Sequence, residues 1–182
     1  MKNCCFLLLS VTVLLACQNK ETKKMAVTSK TFVMDADKQQ LDTVILGQKD
    51  TAIIIKDKLD TADTGGQKER YEINIMFSNK KWPTLKFSNA IGADLFVVDD
   101  IDGDEKPELL LRPEWFSSCW ASINLFSLKE GAWKLVKKGS MYFCANEYPL
   151  SRRIEKQDDK YYLLTDTLAD DQFVIQKKEI KF

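Results

Sequence analysis

The 182-residue chain has no histidine. That removes Ser-His-Asp and Cys-His nucleophile pairs, and every zinc site that needs an imidazole ligand. It also has no charge excess, with 27 basic and 27 acidic side chains. Proteins that neutralise nucleic-acid phosphates carry a basic surplus, so no nucleic-acid partner is expected. No segment keeps the i, i+3, i+4, i+7 apolar spacing of an amphipathic helix. No apolar run is long enough for a good membrane span. The longest, Cys4 to Ala16, has thirteen residues and would reach about 20 Å as a helix, against a hydrocarbon core of about 30 Å. What is present is ordinary globular composition, 45% hydrophobic and 30% charged, enough for one domain or at most two.

The short apolar run has the form of an address. A basic start, Met1-Lys2-Asn3, precedes it, as in a secretion signal. Its end, Leu14-Leu15-Ala16-Cys17, resembles the lipobox of bacterial lipoproteins. The resemblance implies cleavage before Cys17 and lipidation of that cysteine: the small Ala16 suits the peptidase, and the thiol accepts a diacylglycerol. An ordinary signal peptide with a cysteine in its apolar region is the alternative. The polar stretch Gln18 to Lys24 then reads as a tether. The expected division is 1–16 signal peptide, 17–29 lipidated N-terminus and flexible tether, and 30–182 β domain. Cleavage of sixteen residues from 182 would leave 166. The expected location is the bacterial cell envelope, with the membrane as partner through lipid at Cys17. The anchor could sit in the outer membrane or at the cell surface, or the domain could face the periplasm.

Of five cysteines, Cys4 and Cys5 would leave with the signal and Cys17 would carry lipid. Cys119 and Cys144 remain. In an exported domain this pair invites a disulfide closing a loop of about 26 residues, a chain-entropy stabilisation of roughly 3.5 kcal/mol. Two buried free thiols are the alternative. Without histidine to activate it, neither thiol is expected to be catalytic.

The body reads as strands. Tyr71, Ile73, Ile75 and Phe77 alternate with Glu72, Asn74 and Ser78, a half-buried strand of period two. Thr51 to Lys56 is β-branched, and Asp60 to Gln67 with Gly65-Gly66 is turn chemistry between the two. Leu95 to Val98 and Glu108 to Arg112 are apolar strands. Ala121 to Leu128 and Ala132 to Lys137 flank a Lys129-Glu130-Gly131 turn. Tyr161 to Thr165 and Gln172 to Ile180 flank Ala169-Asp170-Asp171. A brief helix near Trp115 to Trp120 is the only helical expectation. Short strands at regular spacing predict a mainly β fold, a single compact antiparallel β-sandwich or a barrel-like or degenerate-propeller domain, with lysines guarding the edges.

One segment carries metal chemistry. Asp100-Ile101-Asp102-Gly103-Asp104-Glu105-Lys106-Pro107-Glu108 puts carboxylates at positions 1, 3, 5 and 9. Calcium takes six to eight oxygens at about 2.3–2.6 Å, and alternate residues of a tight loop can turn theirs to one centre. Asp100, Asp102, Asp104 and Glu108 would offer carboxylates, Lys106 its backbone carbonyl, and Asp99 an outer acceptor. Uncompensated, these charges repel, and a plain solvated turn is the alternative. The segment is no EF-hand: position 6 lacks glycine and position 12 is Leu111. It resembles the calcium loop of FG-GAP/VCBS repeats, roughly D-x-[DN]-G-D-G-x-x-[DE] before apolar residues. Asp100, Asp102, Gly103, Asp104, Glu108 and Leu109-Leu110-Leu111 match, while Glu105 stands where the second glycine would be. The likeness covers about Asp94 to Val136 and occurs once, whereas a propeller needs several blades. The lipobox, the size and the single acidic loop together also resemble small envelope lipoproteins that act as lysozyme inhibitors or immunity proteins.

Trp115, Phe116 and Trp120 around Cys119 either fill the core or form a contact surface. The leading functional expectation is a non-enzymatic, envelope-anchored binding module with one calcium-stabilised loop, an inhibitor of a cell-wall hydrolase in its most specific form. The alternatives are a carboxylate-dependent envelope hydrolase drawing on Glu108, Glu114 or Glu147, whose carboxyls would need to lie about 5–9.5 Å apart, and a purely structural lipoprotein.

Overall fold

Alternation and turn chemistry build three antiparallel sheets. The computed structural model describes residues 38–46, 50–59, 70–114, 119–144 and 148–182. The described residues lie in one compact unit of the chain, Met34–Phe182. Strands β1 (Lys38–Ile45), β2 (Thr51–Leu59), β3 (Arg70–Phe77) and β4 (Leu85–Ser88) form the first sheet in that order. Strands β5 (Gly92–Val98), β6 (Glu108–Glu114), β7 (Trp120–Lys129) and β8 (Ala132–Tyr142) form the second. Strands β9 (Ile154–Gln157), β10 (Lys160–Ala169) and β11 (Gln172–Glu179) form the third, ordered β11-β10-β9. The fold is mainly β and compatible with a sandwich, and the described strands close no barrel. The only helix among the described residues is one 3-10 turn at Leu150–Arg152. Trp120 begins β7 rather than a helix. The rest of the expected helical stretch, 115–118 with Trp115 and Phe116, lies outside the described residues, as do Cys17, Gly65-Gly66 and Glu147.

Three two-residue hairpin turns share one solution. Glu130-Gly131, Asp158-Asp159 and Asp170-Asp171 all take positive φ, between 49° and 77°. Paired left-handed residues match the twist of the flanking strands, and Gly and Asp enter that region at low cost. Glu130 is the exception in type, and its carboxylate is held by Lys134 at 3.0 Å.

The second sheet lies between two apolar clusters. Leu109 and Leu111 face Ile54, Ile73, Ile75 and Phe77 of the first sheet. Leu110, one residue out of phase, meets Ile123, Leu125, Leu163 and Ile180 on the other side. That is why the Leu109-Leu110-Leu111 run has no polar interruption: both of its faces are buried. Trp82 and Trp133 close the first cluster against Phe77, with ring centroids 5.2–6.0 Å apart. Cys119 and Cys144 are joined as a disulfide, with Cα atoms 5.2 Å apart, bracketing the β7–β8 hairpin. A buried ion pair fixes the third sheet. Arg153 donates to both carboxylate oxygens of Asp166, at 2.6 and 2.8 Å, and Asp166 also accepts from the Tyr142 N–H of β8 at 2.7 Å.

Candidate metal centre

The β5–β6 connection is a short acidic loop held by its own backbone. Asp100 Oδ1 accepts from the Gly103 and Asp104 amides at 2.7 and 3.1 Å, and Oδ2 from the Glu105 amide at 2.8 Å. Gly103 and Glu105 both take positive φ, 79° and 63°. The Glu105 position, where the calcium-loop family carries glycine, therefore keeps a glycine-like backbone although a side chain is present. A left-handed residue with a Cβ costs about 1–2 kcal/mol.

Three carboxylates converge at the head of β6. One oxygen each from Asp100, Asp102 and Glu108 lie within 4.8 Å of one another. Oxygens that ligate one ion lie no further apart than this, so the group could hold a metal ion. Glu108 is 0% exposed. Its Oε2 accepts from the Ile101 amide at 2.9 Å, while its Oε1 is buried with no hydrogen-bond partner. Burial pushes the Glu108 carboxyl up to about 7, and the nearby Asp102 charge adds to the rise. An orphaned buried carboxylate oxygen is costly, and a cation would relieve it.

Asp102 is compensated differently. Its Oδ2 accepts from Ser127 Oγ at 2.6 Å and sits 2.5 Å from Lys129 Nζ. Burial opposes its ionisation, but the Lys129 and Ser127 hydrogen bonds and the Lys129 charge outweigh this and hold its carboxyl below the usual range. Lys129 is held above its usual value, chiefly by its hydrogen bond to Asp102.

The five residues expected as ligands thus divide. Asp100, Asp102 and Glu108 form the convergent group. Asp104 lies outside it, with Oδ2 2.9 Å from Lys106 Nζ and 3.4 Å from Lys129 Nζ. Lys106 meets Asp104 through both its amide and its ammonium. Asp99 is exposed beside the loop. Ser127 and Lys129 were not expected in the site. They share a face of β7 by two-residue spacing and reach the loop across the sheet, so no linear spacing relates them to Asp102.

Of the carboxylates considered for hydrolysis, Glu147 lies outside the described residues, and Glu108 and Glu114 do not meet. Glu108 and Glu114 stand at opposite ends of β6, six residues or about 20 Å apart. Glu114 instead contacts Arg112, whose guanidinium also binds Asp94. A scan against protein-family models, a search of curated proteins and a search of solved structures each return no match.

Proposed function

We propose that this chain is a non-enzymatic binding module, anchored to a bacterial cell envelope by lipid at Cys17, with the β5–β6 loop stabilised by one calcium ion. Asp100, Asp102 and Glu108 would hold the ion through carboxylate oxygens, and backbone carbonyls and water would complete its shell. The observation that carries this reading is the buried, partnerless Glu108 Oε1 beside two further carboxylates. The lipobox-like Leu14 to Cys17 supports the anchor. Inhibition of a cell-wall hydrolase is the specific form we favour; a carboxylate-dependent hydrolase and a purely structural lipoprotein are the competing forms.

The test is thermal unfolding in millimolar calcium and in chelator. Extracellular calcium modules bind at about 10⁻⁴–10⁻³ M, so linkage predicts roughly 0.4–2 kcal/mol, or about 1–8 °C in Tm. The shift should vanish in Asp102→Ala. Fatty-acid labelling lost in Cys17→Ser tests the anchor. A lysozyme-type panel with micromolar protein tests the inhibitor form.

A second reading rests on Lys129, whose ammonium already lies against Asp102 and Asp104. In that reading Lys129 is the loop's resident cation and no metal is needed. Equal Tm in calcium and chelator, with a large loss in Lys129→Met, would select it.

A further inference from the structure

We propose that β11 pairs edge to edge with β11 of a second copy of this chain, antiparallel, about a two-fold axis at Val174.

The strand is open to pairing. Among the described residues it bonds only to β10, at one edge of its sheet. The bond from the Ile180 amide to the Tyr161 carbonyl sets the phase of that ladder. Even-numbered residues of β11 therefore bond inward to β10, and Phe173, Ile175 and Lys177 turn their N–H and C=O outward. The strand is also apolar where it is open. Phe173 is 56% exposed, Val174 38% and Ile175 38%. From Gln172 to Gln176 there is no charge, proline or glycine. Such a segment on an edge is a template for another strand unless something blocks it. By contrast, the edge strand β8 carries Lys134, Lys137 and Lys138.

The sequence around Val174 is complementary to itself. With Val174 opposite the partner's Val174, Phe173 meets the partner's Ile175 and Gln172 meets the partner's Gln176. The Asp170-Asp171 turn, just before β11, then lies at the end of the new ladder, on the side of the partner's Lys177 and Lys178, and this occurs twice by symmetry. The phase agrees. Phe173 and the partner's Ile175 both point outward and form a hydrogen-bonded pair, and the two Val174 residues form a non-hydrogen-bonded pair on the axis. A two-residue slip one way moves the acidic turn toward the partner's Glu179, and the other way sets Phe173 against itself and moves the turn toward the partner's Ile175. Opposite charges and apolar pairs across strands stabilise, and like charges destabilise, so one register is selected. Lys177 already binds Glu155 and Gln157 and shares its charge, whereas Lys178 has no ion pair among the described residues. Phe173 packs on Tyr142 and Trp120, with centroids 4.5 and 5.9 Å away, which widens the surface offered to the partner's Ile175. The interface is isologous and closes as a dimer.

The experiment is sedimentation equilibrium of the full chain, in detergent with micelles in large excess, over about 1–200 µM, the upper range for a small interface. Wild-type protein should approach twice the chain mass. Val174→Lys, which sets two like charges on the axis, should weaken association at least tenfold, with Tm unchanged at concentrations low enough to keep wild type monomeric. Under mild oxidation Val174→Cys should give a covalent dimer joined at that residue, and Gln176→Cys, which lies opposite the partner's Gln172, should not. Wild type that stays monomeric throughout overturns the proposal, whether it then binds other proteins, membrane or nothing. So does a dimer that Val174→Lys leaves intact, or equal cross-linking of the two cysteine variants.

Discussion

Strands β6 and β11 carry apolar runs of equal length, Leu109-Leu110-Leu111 and Phe173-Val174-Ile175, and meet opposite fates. The leucines are fully buried, while the second run is 38–56% exposed. Neither propensity nor composition separates them. Position does: β6 has a strand on either side and a cluster on each face, and β11 has one neighbour among the described strands. A continuous apolar run therefore marks a buried strand only when the sheet supplies cover on both faces. Where it does not, the run is a surface.

The largest expected effect sets the two runs directly against each other. Leu110→Ala should cost about 2–5 kcal/mol, transfer plus cavity, while Val174→Ala should stay within about 0.5 kcal/mol. Denaturant midpoints at unchanged m-value measure both, at protein concentrations low enough to keep copies apart. Next comes the staple on the central sheet. Replacing Cys119 and Cys144 by Ser together should cost roughly 3.5 kcal/mol by loop entropy, with the β10–β11 hairpin unaffected in hydrogen exchange.

The head of β6 adds a pH signature that β11 lacks. In chelator, the native state keeps the Glu108 proton up to a pH of about 7, whereas the unfolded chain releases it near the model value of 4.5. The native state thus binds more protons in that window, and stability falls as pH rises through it. Tm at pH 5 should exceed Tm at pH 8, Glu108→Gln should remove the difference, and millimolar calcium should shrink it in wild type. The smallest effect is at the turns. Glu105→Gly should stabilise by about 0.5–1 kcal/mol by relieving a left-handed Glu, whereas Asp171→Gly before β11 should change little, since Asp tolerates that region.

Much of this was readable beforehand where local chemistry decides. The β2–β3 hairpin follows from period two, and the β7–β8 and β10–β11 hairpins from their turns. Strands β1, β4 and β9 were not foreseen. Lys38–Ile45 is largely polar, and Leu85–Ser88 and Ile154–Gln157 have four residues each. Their extension comes from pairing with β2, β3 and β10 rather than from propensity. The site divides in the same way. The spacing of Asp100, Asp102 and Glu108 pointed to convergence, because a nine-residue segment contains all three. Lys129 and Ser127 arrive from a strand 25 residues beyond Asp104 and Asp102, through sheet pairing that spacing cannot express.

The order of strands in each sheet is also their order in the chain: 1 to 4, 5 to 8, and 9 to 11. Every strand partner is therefore a sequence neighbour, and no strand must wait for a distant segment before it can pair. Loop-closure entropy is small at each step, so contact order is low for an all-β chain and folding should be correspondingly fast. Each sheet can form as soon as its own stretch is free, and the middle one can be trapped between its neighbours last. Such a chain spends little time with open strand edges on the way to its native state, and the apolar edge of β11 is one that it keeps.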